Sequence, residues 1–170
     1  MNKTLARSAT GTIASLLGFV LYDYNTCHPM RKMGPNSYDI KGAFIRLHNI
    51  AYTKLQLPSK TFTLNDLAQY DGNSGNRIYF SSEGYVWDAT SSEMFRSAYG
   101  QWCGKDATFA LAKMSLNEDD INRTDYESLT SEELESLHSW SSYFSEKYLI
   151  KGRLKEYNEK PRRMDKTTFE

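Results

Sequence analysis

Cysteine and histidine are scarce in this chain, and that scarcity limits its chemistry. The 170 residues include 2 cysteines and 3 histidines. Cys27 and Cys103 are too few and too far apart to form a disulfide framework, so we expect two reduced thiols, in a reducing compartment or on a membrane face turned towards one. No cluster of cysteine and histidine with metal-ligand spacing occurs in the sequence. A metal site built from these two residue types is therefore not expected.

An excess of charge of either sign is also missing. The chain has 21 acidic and 21 basic residues, which argues against nucleic acid or a generally anionic molecule as a partner. Internal repeats and low-complexity tracts are absent as well. The hydrophobic share of 39% and the aromatic share of 14% are ordinary for a globular protein, and the length suits one modest domain with extensions.

The N-terminal region lacks acidic residues until Asp23. Lys3 and Arg7 precede an uncharged apolar run at 8–22. As a helix, this run would be about 22 Å long, which is short of the roughly 30 Å hydrocarbon core unless flanking tyrosines lie in the interface. We therefore expect residues 1–24 to be a short apolar membrane-anchor helix, with a cleaved secretory signal and a mitochondrial targeting sequence as the alternatives.

Residues 25–60 are predicted to form a linker followed by an amphipathic helix. Proline and glycine interrupt the first part, and Pro58 ends the second. The helix is expected over residues 38–57 because apolar residues recur there at helical spacing. Its predicted apolar face consists of Ile40, Phe44, Leu47, Ala51 and Leu55. This face would cover the following domain, connect it to the anchor, or dock on a partner subunit.

Short-range signals predict the first elements of the domain that follows. Thr63 is placed to cap a short helix that has Asp66 in its first turn. Two short strands, residues 77–80 and 85–88, flank a Ser-Ser-Glu-Gly sequence that suits a hairpin loop.

Two further helices are predicted by capping residues. Asp106 is expected to be the N-cap of a helix over residues 107–114. Thr130 and Glu133 form a capping box for a longer helix. One face of that helix is predicted to carry Leu134, Leu137, Ser141, Phe144 and Tyr148. Helices around a small sheet make an α+β fold.

Four segments of the chain occur in an order and spacing seen in one protein family. They are FTLNDLAQYDG, RIYFSSEGYVWDAT, FRSAYGQWCGKDAT and SWSSYFSEKYLIKGRL. In these segments, which extend from about residue 62 to about residue 154, the chain resembles the membrane-associated progesterone receptor family. The resemblance implies an α+β, cytochrome b5-like heme/steroid-binding domain over residues 61–155, with a small sheet and surrounding helices. The apolar helix would precede this domain, and residues 156–170 would form a polar C-terminal tail.

The resemblance also implies a heme site. Cytochrome b5 holds its heme between two histidines, one of them in a His-Pro-Gly-Gly loop, and this chain has no such loop. By resemblance, the axial ligand is Tyr99, which as a phenolate would hold a five-coordinate ferric heme b. An anionic oxygen donor favours ferric iron, so a fast electron carrier is not expected. Lys147 and Tyr148 match the family's support for the heme propionates, and Asp106 belongs to the Gly-Lys-Asp turn after the ligand.

One part of the chain departs from the family pattern. The loop between Phe95 and Tyr99 is short, and a further propionate-binding tyrosine that the family carries there is missing. Either Arg96 replaces that tyrosine electrostatically, or the short loop holds Tyr99 out of reach of the iron. Trp102 is also bulkier than expected beside an exposed heme face.

Two functions are compatible with these features, and neither is an enzyme. The first is a membrane-anchored heme-binding protein of the endoplasmic reticulum or mitochondrial inner membrane, acting as a heme carrier or as a partner of heme-thiolate monooxygenases in sterol metabolism. The alternative is an accessory subunit of a membrane complex, such as a mitochondrial respiratory complex, that keeps the domain as a heme-free interaction module. Steroid binding belongs to the family name, although no residue here demands a steroid.

Overall fold

The computed structural model describes residues 18, 19, 22, 39–56 and 59–158. Residues 18, 19 and 22 are helical, and the rest of the predicted anchor at residues 1–24 lies outside the described residues. Nowhere in the described ranges is a helix both long enough and apolar enough to cross a membrane.

Between residues 39 and 158 the structure contains two long helices, several short ones and four strands. The elements in chain order are α1 (Ile40–Lys54), β1 (Lys60–Phe62), α2 (Leu64–Ala68), β2 (Tyr79–Ser82), β3 (Tyr85–Asp88), α3 (Glu93–Arg96), α4 (Thr108–Ala112), α5 (Ser131–Lys147), β4 (Leu149–Leu154) and α6 (Lys155–Asn158). Single 3-10 turns occur at Asn73–Gly75, Gly100–Trp102, Glu118–Asp120 and Tyr126–Ser128.

The four strands form one mixed sheet in the order β1-β4-β3-β2. β4 is antiparallel to β3, and β3 is antiparallel to β2. β1 is parallel to β4, with Phe62 opposite Leu154, so the beginning and the end of the domain lie side by side. Helices surround this small sheet, which confirms the predicted α+β class.

Gly152 makes the parallel pairing of β1 with β4 possible. A Cβ atom at this position would collide with the carbonyl oxygen of Lys60 and would lie 2.7 Å from Cε2 of Phe62. Because real Cβ contacts are longer than this, only glycine lets β1 approach β4 so closely.

The hairpin between β2 and β3 is tighter than predicted. Glu83 and Gly84 have φ values of 52° and 75°, which is the two-residue type I′ turn that matches strand twist. Ser81 and Ser82 therefore belong to β2, opposite Val86 and Tyr85, and not to the loop. The predicted strand, residues 77–80, therefore lies two residues before the observed one. The prediction assigned both serines to the loop because serine is typical of loops, but in the structure both are completely buried.

The predicted cap at Thr63 and the predicted capping box at Thr130 are confirmed, and in the structure both are capping boxes. Thr63 accepts a hydrogen bond from the Asp66 amide, and Thr130 accepts one from the Glu133 amide, with the acidic side chains bonding back in each case. The predicted inner face of α5 is also confirmed: Leu134 is partly buried against the core, and the other members are buried, namely Leu137, Ser141, Phe144 and Tyr148.

The helix after the Gly-Lys-Asp turn is shorter than expected. α4 begins at Thr108 rather than at residue 107, and its N-cap is Ala107 rather than Asp106. It ends at Ala112, because Met114 adopts a left-handed φ of 51°. The Asp106 carboxylate instead accepts a hydrogen bond from the Thr108 hydroxyl at 2.8 Å.

The predicted apolar face of α1 is not its buried face. Phe44 and Leu55 remain 56% and 69% exposed, whereas Ala43, Asn49 and Tyr52 are buried. The helix lies against α5 and β4. The prediction failed because it assigned the inner face by hydropathy, whereas a polar residue of this helix, Asn49, is only 1% exposed.

The packed part of the chain continues past residue 155. Tyr157 in α6 is buried, and its ring lies 4.7 Å from that of Tyr126. Glu156 accepts a hydrogen bond from the Leu64 amide at 3.0 Å. Most of the predicted polar tail at 156–170 lies outside the described residues.

Candidate functional site

Three of the residues singled out by the sequence come together from two separate elements. Tyr99 follows α3 and precedes the turn Gly100–Trp102. Lys147 is the last residue of α5, and Tyr148 is its C-cap. Phe95 of α3 links the two parts, because its ring packs edge-on against both Tyr99 and Tyr148, at 5.8 Å in each case. We call Tyr99, Tyr143, Lys147 and Tyr148 the tyrosine-lysine cluster.

The ring of Tyr99 is held by aromatic packing. It stacks on Trp102 with centroids 4.7 Å apart and planes inclined by 12°. The side chain is half-buried, and within the described ranges its hydroxyl has no hydrogen-bond partner. Trp102, which is bulkier than expected beside an exposed heme face, therefore supports the ring of Tyr99.

Tyr148 belongs to the wall of the hydrophobic core. It is buried, and its hydroxyl is 3.0 Å from the Ser92 hydroxyl, with which it shares a hydrogen bond. Its ring lies edge-on to Phe80 and Phe95. These contacts orient the phenol towards Ser92, which lies between β3 and α3.

Tyr143 is a member of the cluster that sequence reasoning missed. The ammonium of Lys147 donates a hydrogen bond to the Tyr143 hydroxyl at 2.6 Å. The same ammonium lies 5.0 Å from the ring centre of Tyr143 and 5.9 Å from that of Tyr148. The spacing of four residues between Tyr143 and Lys147 on one helix was the available signal, since such residues lie on the same face.

The groups of the cluster influence one another electrostatically. Burial lowers the pKa of Lys147, but the hydrogen bond to Tyr143 and the nearby phenols of Tyr148, Tyr143 and Tyr99 outweigh it, so that the pKa is raised. Burial raises the pKa of Tyr148, opposed by Ser92 and by the Lys147 charge and reinforced by Tyr143 and Tyr99. The Lys147 ammonium therefore remains charged, and the Tyr148 phenol remains neutral, at physiological pH.

Asp106 lies in a different network. Its carboxylate is buried and accepts hydrogen bonds from the hydroxyls of Ser81 at 2.5 Å, Thr108 at 2.8 Å and Tyr126 at 3.2 Å. Burial raises the pKa of Asp106 to about 6, although these hydrogen bonds lower it. Its partners belong to β2, α4 and the turn Tyr126–Ser128, none of which carries the tyrosine-lysine cluster. In this structure Asp106 joins elements of the fold.

Four further residues with ligand or anion-binding chemistry have ordinary structural partners. Arg96 donates a hydrogen bond to the Thr90 carbonyl at 2.6 Å, and the buried Cys103 thiol donates one to the Phe95 carbonyl. His48 is hydrogen-bonded to Asn49, and His138 pairs with Glu83. The part of the chain that the structure describes contains no group of three or more His, Cys, Asp or Glu residues suited to a metal ion.

Comparisons with known proteins place the fold and the family. No protein-family model matches the chain. The chain is 38% identical over 97 residues to "Probable steroid-binding protein 3" of Arabidopsis thaliana, which covers 55% of this chain and 96% of that protein. It is 34% identical over 112 residues to human "Membrane-associated progesterone receptor component 2", covering 62% of this chain and 50% of the relative. A third relative, "Cytochrome P450 regulator dap1" of Schizosaccharomyces pombe, is 29% identical over 104 residues, covering 56% of this chain and 63% of the relative.

A solved structure agrees with these sequence relatives. It belongs to an Arabidopsis thaliana protein described as having a cytochrome b5-like fold, and it matches with a TM-score of 0.51 at 36% identity, covering 56% of this chain and 91% of that chain. The expected cytochrome b5-like fold is thereby confirmed. The chain spans nearly the whole of the plant relative but only about half of the human one. With 38% identity over almost all of the plant relative, the chain belongs to the membrane-associated progesterone receptor family.

Proposed function

We propose that this protein binds heme at the tyrosine-lysine cluster, with the Tyr99 phenolate as the iron ligand. The observation that supports this most strongly is that Tyr99 and Tyr148 pack against the same Phe95 ring, while Lys147 lies over Tyr148 and is bonded to Tyr143. Bound heme b would supply a ferric iron, for which an anionic oxygen is a suitable ligand.

The residues of the cluster fit the two needs of a heme group. The iron needs a ligand atom, and the Tyr99 hydroxyl has no partner in the described ranges while its ring is held by Trp102. The propionates need cations and hydrogen-bond donors. The Lys147 ammonium has three N–H groups and uses one of them for Tyr143, so two remain for carboxylate oxygens.

Tyr143 offers a replacement for the tyrosine that is missing from the loop before Tyr99. It is already joined to the Lys147 ammonium, whereas the Arg96 guanidinium donates to the Thr90 carbonyl. We therefore assign to Tyr143, rather than to Arg96, the second phenol beside the propionates. Asp106 is assigned to the fold and not to the heme site.

The biological role that we propose is that of a binding protein, not an enzyme. One relative is named as membrane-associated and another as a regulator of cytochrome P450, which supports a membrane-associated heme carrier or partner of heme-thiolate monooxygenases. Residues 1–24 would attach the domain at 61–155 to the endoplasmic reticulum or the mitochondrial inner membrane. Residues 25–60 would connect the two, and residues 156–170 would extend beyond the domain.

Heme titration of the purified apoprotein tests the proposal. The wild type should give a ferric high-spin spectrum. Tyr99→Phe should abolish it and weaken heme binding by at least about a hundredfold, whereas Tyr143→Phe and Lys147→Ala should each weaken binding about tenfold. Tyr70→Phe is the matched control, because Tyr70 is also partly buried and stacks on an aromatic ring, at 4.3 Å from Tyr79. Unchanged heme binding by Tyr99→Phe would reject the proposed ligand.

A second function remains if the wild type takes up no heme. α1 exposes Phe44 and Leu55 on the side that does not face the domain, which favours a protein partner there. In this alternative, the chain is an accessory subunit of a membrane complex such as a respiratory complex. Phe44→Ser combined with Leu55→Gln should then release the protein from its complex on native gels of solubilised membranes. Retention of the double variant in the complex would count against this alternative.

A further inference from the structure

α1 is anchored to the domain through one buried polar side chain. Asn49 is 1% exposed. Its Nδ2 atom donates hydrogen bonds to the carbonyls of Ser145 and Tyr148, both at 2.7 Å, and its Oδ1 atom accepts one from the Ile150 amide at 3.0 Å. The three bonds therefore span the junction between α5 and β4, with Lys147 in its middle.

These bonds satisfy backbone groups that the junction leaves unpaired. The last carbonyls of a helix have no partner within the helix, and Ser145 is in the last turn of α5. At Tyr148 the backbone changes to extended values, φ −126° and ψ 143°, as the chain enters β4. Buried carbonyls need a donor, and Asn49 supplies it for both Ser145 and Tyr148.

A second contact from α1 reaches the same turn. The Arg46 guanidinium lies 4.0 Å from the Glu146 carboxylate, and both side chains are largely buried. Residues 145, 146, 148 and 150 are thus all held by α1, while the Lys147 side chain between them remains exposed. The direction in which Lys147 and Tyr148 leave the backbone depends on this junction.

We propose that Asn49 is a positioning residue for the tyrosine-lysine cluster. It sets the end of α5 so that the Lys147 ammonium meets Tyr143 and the Tyr148 phenol meets Ser92. Its effect on ligand affinity rests on the heme-binding function proposed above, whereas its effect on the cluster itself does not. The family pattern begins at about residue 62, so a segment outside that pattern tunes the site. Because coupling is reciprocal, ligand binding at the cluster should in turn hold α1 more firmly on the domain.

The test compares Asn49→Leu with Tyr52→Leu. Leucine branches at Cγ as asparagine does but can make none of the three bonds. Tyr52 is buried on the same helix, and its hydroxyl has no hydrogen-bond partner in the described chain, so Tyr52→Leu reduces the packing of α1 but removes none of the hydrogen bonds to the junction. The first readout needs no heme: it is the pKa of Lys147 and the ring-proton shifts of Tyr148, both followed by NMR. Asn49→Leu should lower that pKa and move those shifts, and Tyr52→Leu should leave both unchanged.

The second readout is heme affinity in a double-mutant cycle. Asn49→Leu should weaken binding about fivefold to tenfold without changing the ferric spectrum, because Tyr99 is untouched. On a Lys147→Ala background its effect should be smaller, since the part that acts through Lys147 is already lost. If Asn49→Leu does not fold, Asn49→Ser gives the same comparison. The smaller side chain leaves room for a water that can pair with the buried carbonyls, so this variant should fold more readily.

The outcomes separate the two proposals. Equal effects of Asn49→Leu and Tyr52→Leu on Lys147 and Tyr148, or no effect of Asn49→Leu, would overturn the positioning role. If the wild type binds no heme, the proposed function fails, and the NMR comparison still decides the role of Asn49.

Discussion

Tyr99 and Trp102 lie almost parallel, with their ring centroids 4.7 Å apart. The indole N–H of Trp102 is buried and has no hydrogen-bond partner in the described chain, so the indole acts here through its flat surface. The orientation of Tyr99 is therefore set by ring packing, and its hydroxyl is left for a ligand. A phenol that donates its hydrogen to a neighbour, as Tyr148 can to Ser92, would have to give up that bond before binding iron as a phenolate.

Removal of these two hydroxyls should affect stability differently. Tyr99→Phe keeps the stack on Trp102, and we expect it to change the free energy of unfolding of the heme-free protein by no more than about 0.5 kcal/mol. Tyr148→Phe leaves the buried Ser92 hydroxyl unpaired and should cost about 1 kcal/mol or more. Urea denaturation of the two apoproteins measures the difference. The reverse order would mean that the hydroxyl of Tyr99 is bonded within the protein.

Ionisation of Asp106 should make stability fall with rising pH. Burial raises the pKa of Asp106 to about 6 from an ordinary value of 3.8, so the folded state binds this proton more tightly than the unfolded state does. The contribution of Asp106 to the free energy of unfolding is greatest below about pH 4. It decreases between about pH 4 and pH 6, by on the order of 3 kcal/mol. Asp106→Asn cannot ionise and can still accept from the Ser81 and Thr108 hydroxyls, so it should remove this slope in urea denaturation series.

Asp125→Asn is the control for that series. The hydrogen bond from Arg123 lowers the pKa of Asp125 to about 2. Its contribution has the opposite sign, since it is present above about pH 4 and is lost as the pH falls towards 2. Asp125→Asn should therefore leave the loss of stability between pH 4 and pH 6 in place. A wild-type slope that survives in Asp106→Asn would show that Asp106 is not its source.

Gly152→Ala should detach β1 from the sheet. The new methyl group would meet the Lys60 carbonyl and the Phe62 ring, and overpacking of this kind costs about 1–3 kcal/mol. Gly100→Ala is the matched control, because its nearest neighbour, the Phe95 carbonyl, would be 3.8 Å away. In thermal denaturation, the melting temperature of Gly152→Ala should be much lower than that of the wild type, and the melting temperature of Gly100→Ala should be little changed. Equal melting temperatures would contradict the close approach of β1 to β4.

Much of the local structure could be predicted, because its causes are local in the sequence. The capping boxes of Thr63 and Thr130 depend on residues three positions apart, and the inner face of α5 follows from helical periodicity. The sheet order could not be predicted in the same way, since the pairing of Phe62 with Leu154 joins distant parts of the chain.

The candidate site was predicted in part. The family resemblance singled out Tyr99, Lys147 and Tyr148. In the structure Tyr99 and Tyr148 pack against the same Phe95 ring, and Lys147 lies 5.9 Å from the ring centre of Tyr148. It gave no reason to choose Tyr143, whose role depends on the direction in which the Lys147 side chain points. Asn49 could not be found, because a polar residue in an amphipathic helix is expected to face solvent. Its burial is explained only by the unpaired carbonyls at the end of α5.

The parallel pairing of β1 with β4 has a consequence for the synthesis of the chain. β1 is translated roughly ninety residues before β4, an interval on the order of 5–20 s at ordinary elongation rates. Until Leu154 leaves the ribosome, Phe62 has no neighbouring strand, and Asn49 of α1 lacks the carbonyls to which it bonds. The nascent domain must therefore keep both N-terminal elements free of other chains during that time. α1 and β1 are therefore translated well before the residues that hold them in the folded domain.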